Sequence, residues 1–559
     1  MRLARKGLLS TLVVILVLLA LAGAASAARP TRVLLVVMDQ MQPGYAKQFG
    51  MTNILSLQQK GVWFPNAWVG DMASETVVSH NVMVSGLYPQ HMGWSDEAFR
   101  DVDNLLGYGA GAIVTSGDLT YTQYLKIIDE YDYTKLGDYL HAKFPGTIVA
   151  NVGQKGYQVE SMAASSSDIY VRMGSKKNTS ALPDPSVVPW TGKYRGPSGN
   201  GPGDTLPAYI KDDPRFLISS GNADDAYGTD TTTPAWMYYE DGRYVPGPYD
   251  GHLGGDNWVT DAATKIMENE NWSGLFVTFS AIDKIGHMWG GGAVDTEDRY
   301  NWDPTSIFRE IHMPWVAANA DAQLGVLIAK LKELGQYKDT LIIVTADHGS
   351  TYGEHFYGTD VKDGANSGGW YCGTWYPGYG ADPMVPNTAA GPAALAPLTA
   401  TGNVAFSYQS TAIETWLVDH STAKEKEAAD VMATLPGVIA SYYKVGDDHY
   451  KLKSASTSMT AAERSWWVAH GQALVDSMCW SGSADVVGLL ADKTLYAAYG
   501  DHGGAQKDVQ RIPMVWFQAG IKHKVNRSAF RLIDIMPTIM KTMGIAPTDR
   551  MDGSAYTIK

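Results

Sequence analysis

The stretch 341–350, LIIVTADHGS, sets an aspartate and a histidine side by side directly after a short apolar, β-branched run. A continuous apolar run of this length suits a strand buried on both faces of a parallel sheet, although a buried helix segment has the same pattern. In open α/β sheets, ligands bind just beyond the carboxyl ends of the strands. Asp347 and His348 in that place form half of a metal site. Taken alone, they read equally well as an Asp capping the next turn beside a surface His.

Three further apolar runs end in the same chemistry. RVLLVVM, 32–38, stops at Asp39; LFVTFS, 275–280, leads to Asp283 and His287; TLYAAY, 494–499, leads to Asp501-His502-Gly503. The four-residue spacing of Asp283 and His287 puts both on one side of a helical turn. Aspartate oxygen and histidine nitrogen suit zinc, and such mixed sites also accept manganese or iron. Thr76 precedes 77–85, whose apolar residues fit a helix with one buried face, closed by Gly86 with Pro89 beyond. A hydroxyl at a helix N-terminus sits where the dipole and free N–H groups favour an anion; it also reads as a simple N-cap. Four matched endings supply two metal sites with a hydroxyl between them. Two zinc ions about 3.5–4 Å apart clamp the attacking and leaving oxygens of an in-line displacement at phosphorus, and threonine needs such activation because its free pKa is far too high. His80 and His91 flank the Thr76 helix and read as structural; His252 and His355 fall in loops and read as solvent-exposed.

The elements that must carry these residues alternate. Helices are expected at 133–144, 257–269, 461–475 and 532–543, and strands at 147–152 and 512–517. Ala317, Ala320, Leu324, Leu327, Ile328, Leu331 and Leu334 recur at helical spacing and end at Gly335, just before the 341 run. Strand, helix, strand in this order is a βαβ unit, so the sheet is at least partly parallel. The segment 153–250, rich in Gly, Pro, Ser, Asp and Tyr, reads as long loops with short elements near the active face. A second insertion, 353–410, contains GANSGGWYCGTWYPGYGADP and reads equally as a wall of the cleft or a solvent-facing decoration. There are no internal repeats.

Arg2, Arg5 and Lys6, the apolar run 8–21 and Ala25-Ser26-Ala27 make a secretory signal peptide cut after Ala27. The alternative is an uncleaved anchor, since 8–28 approaches the roughly 20 residues that span a bilayer. Cleavage leaves 28–559 as one catalytic domain, secreted or periplasmic, without stable membrane insertion. It also removes three basic residues and no acids, moving the formal charge from −14 to −17. That acidity opposes nonspecific binding to nucleic acid. Cys372 and Cys479 are too few for a disulfide scaffold or a thiolate cluster; in an oxidising compartment they are either one bridge or two thiols.

Together, VLLVVMD, SETVVSHNVMVSGLYP, SAIDKIGH, LIIVTADHG, a late HG and DIMPTIMKTMGI resemble the alkaline phosphatase superfamily. The resemblance is nearest to its type I phosphodiesterase/nucleotide pyrophosphatase branch, with a threonine nucleophile, and runs from about residue 32 to the C-terminus. It implies an α/β fold: a three-layer α/β/α sandwich on a central, mostly parallel sheet with cap or loop insertions. It further implies one zinc on Asp283, His287 and His502, and a second on Asp39, Asp347 and His348, to which Thr76 binds as nucleophile. The reaction expected is hydrolysis of a small phosphate ester through a phosphothreonine intermediate. Two departures stand out. Gln90-His91-Met92-Gly93 replaces the usual HG after GLYP, and Ser95-Asp96-Glu97 stands where relatives often carry an Asn for the phosphoryl oxygens. Lys155 is the nearest counterpart of the Lys-x-Arg signature of related monoesterases. A phosphomonoesterase and a non-catalytic zinc-binding exported protein are the competing readings. No C/S-x-P-x-R motif supports a sulfatase, and the signal peptide opposes a cytoplasmic mutase.

Overall fold

The computed structural model describes residues 28–173, 190–194, 206–211, 255–283, 286, 312–351, 355–357, 393–496 and 500–558. Six strands carry the central sheet: β1 (Arg32–Met38), β2 (Ile148–Gly153), β3 (Ile169–Met173), β4 (Trp272–Phe279), β5 (Thr340–Thr345) and β6 (Met514–Phe517). They lie in the order β6-β5-β1-β4-β2-β3, with Val62–Trp63 and Lys524–Val525 extending one edge and Trp190–Tyr194 the other. The pairs β5/β1, β1/β4, β4/β2 and β2/β3 are parallel, whereas β6 runs antiparallel to β5. The fold is therefore α/β with a mostly parallel central sheet.

Burial explains why the runs are continuous rather than alternating. Val33 to Met38 and Leu341 to Val344 are all fully buried, each side chain contributing roughly 1.5–3 kcal/mol relative to exposure. The helices that cover the sheet include α1 (Thr76–Ser85), α2 (Gly156–Ala163), α3 (Gly255–Asn269) and α4 (His312–Glu333). Gly86 ends α1 in a left-handed conformation, φ 67°, which glycine adopts without strain.

Two expectations about the insertions change. The start of 153–250 is regular: it holds α2 and β3, the latter a strand of the central sheet. The end of 353–410 enters a second sheet of Val404–Gln409, Ala412–Leu417, Val486–Leu490, Val438–Lys444 and Tyr450–Ala455, in that order and antiparallel throughout. The signal segment 1–27, His252 and Cys372 lie outside the described residues; Cys479 is buried. Among the described residues, no helix is long and apolar enough to cross a membrane.

Candidate metal centre

Register brings the three carboxylates together. Met38 of β1 pairs with Phe279 of β4, and Val37 with Thr345 of β5. Neighbouring strands are about 4.8 Å apart, so chain leaving β1, β4 and β5 emerges on one edge of the sheet. Asp39 follows β1 directly, its N–H still bonded to Phe279 O at 2.9 Å. Asp347 lies two residues past β5, and Asp283 four past β4. All three are fully buried, as is His348; His502 is 7% exposed.

Asp39, Asp347 and His348 offer ligand atoms within 4.8 Å of one another, and so do Asp283, His348 and His502. His348 therefore lies between the groups, Nε2 at 3.4 Å from Asp347 Oδ2 and 3.6 Å from Asp39 Oδ1. Its ring stacks on that of His502, centroids 3.7 Å apart. His502 Nε2 is 3.6 Å from Asp283 Oδ1. His287 lies outside the described residues.

The chemistry of this donor set fits divalent cations. Burial, with His502 alongside, pushes the His348 pKa well below its ordinary value. A neutral ring donating Nδ1–H to Gly349 O at 3.0 Å leaves Nε2 with a lone pair that faces the Thr76 hydroxyl. Burial, then repulsion from Asp39, raises Asp347 well above the carboxylate range, and its Oδ2 accepts no hydrogen bond. Buried carboxylates crowded together in this way call for positive charge.

Part of that charge comes from Lys155, just before α2. Its Nζ lies 2.7 Å from both Asp39 Oδ2 and Asp283 Oδ2. Burial opposes the ammonium, but Asp283 and Asp39 outweigh it and hold the pKa well above normal. The same Nζ donates to Thr76 Oγ1 at 3.3 Å.

Thr76 is the first residue of α1, and its Oγ1 also meets His348 Nε2 at 3.2 Å. It is not an N-cap. Glu75 holds that position, and no side chain caps the helix. The hydroxyl is engaged by tertiary partners instead, while the first-turn N–H groups have no partner within the helix. His80 is structural: fully buried, it contacts Thr76 O at 2.7 Å and Thr278 Oγ1 at 2.9 Å. His91 pairs with Asp552 Oδ2 at 2.7 Å, far along the chain.

Several supporting residues had no signature in the sequence. Glu75 Oε2 is 2.5 Å from His502 Nδ1, and Oε1 accepts from Tyr408 OH at 3.2 Å. Gln158 donates to Asp39 Oδ2 at 3.2 Å, and Gln40 donates to Asp283 and Asp347. Gly349 owes its identity to a close approach: a Cβ there would run into the backbone oxygens of Asp508 and Arg511.

Residues 33–371 match the type I phosphodiesterase / nucleotide pyrophosphatase family. The chain belongs to that family. The match takes in every proposed ligand except His502, which lies beyond it. Phosphoric ester hydrolysis is accordingly its activity class. No curated protein matches the sequence. Among solved structures, wild-type alkaline phosphatase PafA superposes with a TM-score of 0.59 at 15% identity, covering 93% of this chain and 97% of that one. A quadruple mutant of PafA gives 0.55 at 14% identity, with the same coverage. These likenesses show an alkaline phosphatase-like fold. Murine ectonucleotide pyrophosphatase / phosphodiesterase 5 gives 0.48 at 12% identity, over 94% of this chain and 97% of that one.

Proposed function

We propose that the protein is an exported two-zinc phosphodiesterase that works through a phosphothreonine intermediate on Thr76. The observation that carries this reading is the position of Thr76 Oγ1, at a helix start, 3.2 Å from His348 Nε2 and 3.3 Å from Lys155 Nζ. Asp283, His287 and His502 would hold one zinc and Asp39, Asp347 and His348 the other, with Thr76 beside the second. When bound, such ions supply charge neutralisation at phosphorus and lower the pKa of the attacking hydroxyl.

The chain's own groups do the rest. Thr76 Oγ1 attacks phosphorus, the P–O bond to the leaving group breaks, and the hydroxyl proton passes to the departing alkoxide. Lys155 faces the developing negative charge on Oγ1. The N–H groups at the start of α1 favour the phosphoryl oxygens. Hydrolysis of the Thr76 ester by water then restores the hydroxyl.

Lys155 also favours a second reading, since a phosphate monoester carries an additional charge that an ammonium can meet. The match to the phosphodiesterase family favours the diester instead.

The test compares bis-p-nitrophenyl phosphate with p-nitrophenyl phosphate on zinc-loaded protein, with Thr76→Ala as control. Diester turnover dominating in wild type, and lost in the variant, is the expected result. Dominant monoester turnover moves the protein to the second reading. Undiminished turnover by Thr76→Ala refutes the nucleophile assignment.

A further inference from the structure

Gln40 follows Asp39 and is fully buried at the centre of the site. Its φ is 67°, in the left-handed region that glycine and asparagine occupy readily and glutamine does not. Such a residue persists only where its surroundings fix it, and the contacts here say what fixes it. The backbone N–H donates to Asp347 Oδ1 at 3.1 Å. The side-chain Nε2 donates to Asp283 Oδ1 at 3.2 Å and to Gly500 O at 2.9 Å. Both neighbours of the amide nitrogen are acceptors, so the reversed amide would set oxygen against oxygen.

We infer that Gln40 is a positioning residue that ties the two carboxylate groups of the site together: its backbone orients Asp347, and its side chain orients Asp283. The left-handed turn is what lets one residue reach both. The extended direction of β1 would carry the side chain away from one of them. Its hold on Gly500, two residues before His502, fixes the chain that delivers that histidine as well. The role rests on the proposed reading that both groups hold metal.

The two links separate cleanly under mutation. Gln40→Gly keeps the N–H to Asp347 and removes the amide from Asp283, while relieving the left-handed conformation. Zinc affinity would be measured by chelator competition on the full chain in two backgrounds. In Asp347→Asn, the site of Asp283 and His502 remains; in His502→Ala, the site of Asp39, Asp347 and His348 remains. Losing an outer contact to a metal ligand typically costs about 10–100-fold in affinity. That loss is expected in the first background, with less than a three-fold change in the second. Metal-free Gln40→Gly, in an otherwise wild-type chain, should melt no lower than the metal-free wild type.

Equal losses in both backgrounds, or none in either, overturn the inference while wild type still binds two ions. A fall in metal-free melting that parallels the zinc loss assigns Gln40 to the fold and also overturns it. Wild type binding no zinc removes the two-metal reading and this inference with it.

Discussion

Lys155→Met isolates the charge that the site needs. The ammonium lies 2.7 Å from Asp39 Oδ2 and 2.7 Å from Asp283 Oδ2, and all three side chains are almost completely buried. Methionine keeps most of the length and apolar stem, so packing changes little. What disappears is the counter-charge, and removing one partner of a buried ion pair costs about 3–5 kcal/mol because the other charge is left uncompensated. Without metal, the variant should lose about that much against wild type. With zinc saturating the site, the ions compensate the same carboxylates, and less than half of the loss should remain. Zinc also meets less competing positive charge in the variant, so the midpoint gain on adding zinc should be larger there than in wild type. Urea denaturation of both proteins, with zinc and with chelator, reads all four quantities. An equal loss in the two conditions would refute the reasoning and make Lys155 a packing residue.

Two further substitutions test parts of the scaffold that lead into the site. Asp71 is fully buried, neither carboxylate oxygen has a hydrogen-bond partner, and burial alone pushes its pKa up to about 8. The folded state therefore binds the proton more tightly than the unfolded one, and stability falls as pH rises from about 4 to about 8. At about 1.4 kcal/mol per ten-fold in proton affinity, the penalty above pH 8 is on the order of 5 kcal/mol. Asp71→Asn should thus be close to neutral at pH 4 and increasingly stabilising up to pH 8; a pH-independent difference in unfolding free energy would sink the argument. Gly349→Ala forces a methyl group against the backbone oxygens of Asp508 and Arg511, which cannot swing aside. It should cost about 1–3 kcal/mol and reduce zinc content by moving His348, so full zinc content in the purified variant would count against it.

Residues buried on both faces were the most legible in the sequence. RVLLVVM and LIIVT are continuous because β1 and β5 lie inside a mostly parallel sheet covered on both faces, and their endings mark its edge. Apart from Val486–Leu490, VVGLL, the second sheet left no such trace. Tyr450–Ala455, YKLKSA, is largely exposed, and in Val438–Lys444 two tyrosines stand next to each other, so neither continuity nor clean alternation appears. Gln40 was illegible for a different reason: its role depends on a backbone angle and on partners hundreds of residues away.

Thr76 stood between cap and nucleophile because both need a hydroxyl at a helix start, and the three-dimensional arrangement removes the cap. Glu75 is still extended, with φ −122° and ψ 155°, whereas Thr76 already opens the helix. That change of backbone direction points consecutive side chains to different partners. Glu75 turns toward His502 and Tyr408, and Thr76 toward His348 and Lys155. One helix start thereby sets the Thr76 hydroxyl against one group of candidate ligands and braces a histidine of the other. α1 is buried along all ten residues, so it cannot shift to serve one group without disturbing the other. The sequence pattern suggested one buried face; the helix is instead covered all round, with α2 and the helix Ile535–Met543 among its neighbours.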